Sequence, residues 1–240
     1  MTQDDITILR VRGPWGVPVD VQPSILFLIF LIVGVHAGSG AQAMLEGALV
    51  ALILVGSILL HEFGHAWGAL VQRVPVTRVV LHGAGGTCQH SAAAPRVSEF
   101  IVAMGPVVNL ALWAVLSLMA ELIWSSVPHG AVGADFVTRL NVAAWLWFAA
   151  EMNLMLFALN LIPVQPLDGG KLAFFGLLRF LPEGRALQVA GALGVAFALL
   201  WIPAMIVLFV TFGFVLLFFP SLAMHWSMVR GGRRLTRMQP

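Results

Sequence analysis

The stretch Ser57-Ile58-Leu59-Leu60-His61-Glu62-Phe63-Gly64-His65-Ala66-Trp67 decides how this chain is read. Two histidines and a glutamate, in the pattern HExxH, interrupt an apolar run covering residues 47–71. Such a run is long enough to cross a bilayer as a helix, which takes about 20 residues. Four residues are slightly more than one helical turn, so both imidazoles leave the same face. Two neutral ring nitrogens can then grip one zinc ion at about 2 Å each, and Glu62 stands beside the first ligand, ready to take a proton from water. Polar groups at that depth are expensive unless they face a cavity or a metal. A catalytic zinc keeps three protein ligands and one open position, so a third ligand must come from elsewhere.

The rest of the composition agrees with a membrane protein. Of 240 residues, 60% are hydrophobic and 10% charged, whereas a soluble domain carries about 25% charged residues. The single cysteine, Cys88, excludes a disulfide framework within one chain and a cysteine-based zinc cage. No run of basic residues interleaved with aromatics suggests a nucleic-acid partner. Residues 1–20 are polar and mixed in charge, unlike a cleavable signal peptide, so the first apolar segment reads as a retained anchor.

Apolar segments occur at 24–37, 47–71, 100–124, 142–162 and 187–219. The last is too long for one span, and Trp201-Ile202-Pro203 lies near its middle. Proline favours a break there. The expectation is a helical hairpin, giving six transmembrane helices, with one long kinked helix as the alternative. Six spans put 12 of the 13 basic residues on one side, leaving only Arg139 on the other. The positive-inside rule then makes that side cytoplasmic and places both termini there. The fold class expected is therefore an all-α, multi-pass cell-membrane protein of one domain, 1–240. Between helices 2 and 3, residues 72–98 begin with alternating β-branched residues and turn through Gly83, Gly85 and Gly86, which predicts a short strand-like hairpin.

The fourth span ends in Asn160-Leu161-Ile162-Pro163-Val164-Gln165-Pro166-Leu167-Asp168-Gly169-Gly170. Two prolines stop the helix, and two glycines allow an unusual turn. The charge count sets this loop on the same membrane face as the end of the HExxH helix. Asp168 is its only carboxylate, which makes it the best candidate third ligand. Capping of the helix that follows is the other role open to it.

HExxH in a membrane helix, followed some 100 residues later by NxxPxxPLDGG, resembles the site-2 protease family of intramembrane zinc metalloproteases. Gly105-Pro106-Val107-Val108-Asn109 is similar to the family's GPxxN segment, and Trp15 to Ser24 to its approach to the first helix. The resemblance covers a catalytic core of about 15–171. It implies that His61, His65 and Asp168 bind one zinc ion and that Glu62 is general base, then general acid. It implies that Asn160 points at the active site, where its amide can meet the developing oxyanion. Asn109 reads either as a substrate contact or as packing glue between helices. Asn153, seven residues before Asn160 and on its face, reads as a pocket residue that binds substrate, with Glu151 facing another helix.

The substrate implied is a transmembrane or membrane-associated protein, unwound locally and received by edge pairing with the strand around 76–81. The length leaves no room for the PDZ or CBS domains that many relatives carry. The chain therefore reads as a minimal form regulated by a membrane partner, in a prokaryotic inner membrane. Two rivals share these residues. One is an inactive zinc-binding relative acting as receptor or chaperone; the other is a zinc transporter, which would spread its ligands along a path.

Overall fold

The computed structural model describes residues 6–36, 40–127, 132–212 and 219–238. In chain order the elements are β1 (Leu9–Arg12), β2 (Pro18–Val21), α1 (Ser24–His36), α2 (Ala41–Val71), β3 (Val76–His82), β4 (Gly85–His90), α3 (Pro95–Ser125), α4 (Ala134–Asn160), α5 (Asp168–Leu177), α6 (Glu183–Phe212) and α7 (Leu222–Met238). Two compact units divide the chain. The first holds Met1–Ala92 and Met104–Phe157, the second Ala93–Ala103 and Ala158–Pro240.

In the first unit a four-stranded sheet runs in the order β1-β2-β3-β4. The hairpin expected after α2 is present as antiparallel β3 and β4, and β2 adds to β3 in parallel, with Val19 opposite Val79. The N-terminal strands had no sequence signal beyond a few alternating residues. They are held by Asp20, which is buried and accepts bonds from Arg10 (2.5 and 2.8 Å) and Arg78 (3.0 Å). The Arg10 guanidinium holds the Asp20 carboxyl below the usual carboxylate range.

On the other face of the sheet Val17, Val19, Val79 and Leu81 form a core with Ala66 of α2, flanked by Val55, Leu59, Phe63 and Leu70. Those α2 positions recur every three or four residues, one stripe of the helix. Each fully buried Val or Leu is worth about 1.5–3 kcal/mol relative to exposure. The stripe therefore fixes the rotation of α2 about its own axis and turns Ser57, His61 and His65 away from the sheet.

β3 is paired on both sides. Over Val79–Leu81 it therefore has no free edge for a substrate strand, which corrects the expectation for that part of 76–81. Among the described residues no strand pairs with the outer edge of β4, which lies next to α2.

Among the described residues, four helices are long and apolar enough to cross a membrane: α2, α3, α4, and α6 over Glu183–Val207. The protein is mostly helical and is a membrane protein. The six-helix count is not what the structure shows. α1 has 13 residues, about 20 Å of helix against a hydrocarbon core of about 30 Å. α6 continues without interruption through Pro203 to Phe212, so the hairpin expected at Trp201–Pro203 is replaced by the long-helix alternative. Proline removes one backbone hydrogen bond, whereas a break would expose several unpaired groups to lipid. The remainder of the expected hairpin, 213–218, lies outside the described residues.

In the second unit α7 runs back alongside the first half of α6. A methyl group on Gly191 would meet His225 and Val229 at 2.8 Å, and one on Gly231 would touch Leu187. Arg230 thus lies near the end of α6 that carries Arg185. α6 and α7 thus form an antiparallel pair. His225, buried against Gly194, donates from Nδ1 to the backbone oxygen of Ser221 at 2.7 Å.

Candidate metal centre

The packing of α2 on the sheet leaves Ser57, His61 and His65 facing α3 and α4 within the first unit. His61, Glu62 and His65 are all buried, at 6%, 6% and 7% exposure. The Nε2 atoms of His61 and His65 stand 3.1 Å apart. Two ligands at about 2 Å from one tetrahedral centre are separated by roughly 3.3 Å, so the pair fits a zinc ion. Gly105 of α3 makes room for it. A methyl group there would lie 2.6 Å from His61 Nε2 and closer still to the His65 ring. The glycine of the GPxxN segment is therefore a cradle for the imidazoles.

Behind His61 runs a chain of side-chain amides. Its Nδ1 is 2.5 Å from Asn109 Oδ1. Asn109 Nδ2 donates to Asn153 Oδ1 at 2.8 Å. Asn153 Nδ2 donates to Ser57 Oγ at 3.0 Å and to the backbone oxygen of Ala149 at 2.9 Å. Asn109 is 0% and Asn153 1% exposed. Asn109, read as a substrate contact or as packing glue, and Asn153, read as a pocket residue, bond to one another and to His61, Ser57 and Ala149. Ser57 escaped notice in the sequence, although it lies one helical turn before His61 as a polar residue in an apolar run. The backbone of Gly86 in β4 passes directly over Glu62. Only the Gly85-Gly86 pair within a strand pattern hinted at so close an approach.

The second unit holds Asn160 and Asp168. Asn160 ends α4 and is partly buried. Asp168 is 4% exposed and opens α5, whose cap position is taken by Leu167. Capping, the alternative role for Asp168, is thus not the one it fills. Lys171 Nζ donates to its Oδ1 at 3.1 Å. Gly169 and Gly170 adopt no left-handed conformation. Their lack of side chains lets the start of α5 lie against the backbone of Leu161, Ile162 and Val164. Glu151 is exposed on α4 rather than set against another helix of this chain.

Three comparisons bear on this geometry. Residues 128–201 match the model of peptidase family M50. A protein of Synechocystis is 31% identical over 68% of this chain and 42% of its own length. A protein of Methanocaldococcus jannaschii named as a zinc metalloprotease is 26% identical over 80% of this chain and 52% of its own. Stage IV sporulation protein FB of Bacillus subtilis is 31% identical over 64% and 48%. The chain thus spans about half the length of these relatives. Among solved structures, a site-2 protease from Methanocaldococcus jannaschii has the same fold, with a TM-score of 0.60, 20% identity and 94% of each chain covered.

Proposed function

Because the chain belongs to the site-2 protease family, within peptidase family M50, we propose that it is an intramembrane zinc metalloendopeptidase. The observation that carries this reading is the convergence of His61 and His65 Nε2 at 3.1 Å beside buried Glu62, inside an apolar helix. His61, His65 and Asp168 would hold the ion. Asp168 is supported as third ligand by its motif, its burial and its place at the start of α5. Zinc, when bound, supplies a Lewis acid that polarises a carbonyl and makes water acidic near neutral pH.

The protein's own residues do the rest. Glu62 takes the proton of the attacking water and returns it to the leaving amine. The Asn160 amide donates to the oxygen on which negative charge develops. The substrate in this reading is a transmembrane or membrane-associated protein. Its cleavage segment must be unwound, because a helical peptide bond is already hydrogen-bonded and shielded by side chains. The open edge of β4, whose Gly86 lies against Glu62, would hold that segment extended beside the general base.

We further read residues 1–240 as one protease domain with its core at 15–171, in a prokaryotic inner membrane. The proposed orientation has both termini cytoplasmic, with cleavage regulated by a membrane partner. The convergence of His61 and His65 Nε2 on one point favours this over the transporter, which would spread its ligands along a path.

The test is Glu62→Gln in the purified full chain. It should keep one zinc ion and lose cleavage of a transmembrane reporter by at least about 10²-fold, the scale of general-base catalysis. Undiminished cleavage would overturn the mechanism. A wild type that binds zinc but cleaves nothing would return the inactive-relative reading to first place.

A further inference from the structure

The amide chain behind His61 has a direction, and one backbone atom sets it. The oxygen of Ala149 can only accept a hydrogen bond. The Asn153 atom 2.9 Å from it must therefore be Nδ2, which turns Oδ1 toward Asn109. Asn109 must answer with its own Nδ2, which turns its Oδ1 toward His61 at 2.5 Å. His61 must then donate from Nδ1, so its Nε2 carries the lone pair. That is the tautomer which presents Nε2 to a metal. The reverse order would set Asn153 Oδ1 against the Ala149 oxygen, two acceptors in a buried site, at a cost comparable to a lost hydrogen bond.

We infer that Asn109 and Asn153 are positioning residues that transmit the polarity of the Ala149 carbonyl to His61, fixing its tautomer and ring orientation before any metal arrives. Ser57 steadies the relay as a second acceptor for Asn153 Nδ2. The four side chains come from α2, α3 and α4 and are buried at 5%, 6%, 0% and 1% exposure for Ser57, His61, Asn109 and Asn153. Water is thereby kept from offering His61 the wrong partner. The inference deepens the zinc-peptidase reading and rests on it for its purpose, although the tautomer itself does not depend on metal.

The experiment has two arms on the full chain in detergent. In the first, 15N-labelled histidine is observed by NMR in zinc-free protein, with His61→Gln used to assign its signals. His61 should show a protonated Nδ1 and an unprotonated Nε2; a protonated Nε2 overturns the inference. In the second, zinc is titrated against a competing chelator. Asn109→Leu should weaken zinc binding by about 10–100-fold, the usual cost of losing an outer partner of a metal-bound histidine. Asn109→Asp, which keeps an acceptor toward His61, should recover most of that loss.

Asn153→Leu should fall between wild type and Asn109→Leu. Zinc affinity of Asn109→Leu within about twofold of wild type, or a loss in Asn109→Asp equal to that in Asn109→Leu, overturns the inference. A structural role alone would not favour the charged variant over the apolar one. If the wild type binds no zinc, the metallopeptidase reading falls, and the NMR arm still decides the relay.

Discussion

Gly86 lies so close to Glu62 that a methyl group on it would stand 2.8 Å from the carboxylate Oε1. A strand of the sheet thus forms a wall of the site beside Glu62. The contact is one that only glycine permits, and it binds the placement of Glu62 to the placement of β4.

Gly86→Ala should therefore disturb catalysis more than metal binding. Glu62 must move by an ångström or so to admit the methyl group, and displacement of that size can cost about 10²-fold in rate. Cleavage of a transmembrane reporter should fall by that order while zinc content stays near one per chain. Equal loss of zinc would show that the hairpin supports the ligands instead.

Gly105→Ala should have the opposite signature. Its methyl group would push directly into both imidazoles, so the histidines can no longer converge. Zinc per chain, measured by elemental analysis after purification, should drop well below one. Retention of full zinc content would refute the cradle.

Val79→Pro distinguishes an interior strand from an exposed one. Proline removes a backbone donor from β3, which is bonded on both sides. The variant should lower the melting temperature and weaken the α2 packing that depends on Val79. A stable variant defective only in substrate binding would instead restore the edge role first expected for this strand.

The Asp20 cluster predicts a pH dependence of stability. The Arg10 side-chain hydrogen bond, aided by Arg78 and by charge attraction, lowers the Asp20 pKa in the folded state. A lowered carboxylate pKa contributes stability that is present above the unfolded value, about 3.9, and is lost as pH falls through the folded value. Asp20→Asn should melt about 2–4 °C below wild type at neutral pH. The gap should narrow on acidification below about pH 4. A gap that stays constant with pH would assign the effect to packing.

The membrane character, the helices α1 to α4 and the β3–β4 hairpin were legible because hydropathy and periodicity are local signals. The end of the chain was not. Pro203 argued for a break, but in lipid a continuous helix with one missing bond costs less than a broken one. The outer strands β1 and β2 were hidden because Leu9–Arg12 and Pro18–Val21 carry little signal alone. Their pairing is secured by Asp20 meeting arginines 10 positions before it and 58 after.

HExxH by itself determined the ligand pair, because residues four apart on a helix must share a face. It also determined where Glu62 stands relative to that pair. Only the tertiary structure decided what surrounds them: Gly105 as cradle, Gly86 as wall, and the amides of Asn109 and Asn153 as the support behind His61. Those residues lie tens of positions apart in sequence. The hydrogen bonds that join them depend on atoms a few ångströms apart, and spacing along the chain carries no record of such distances.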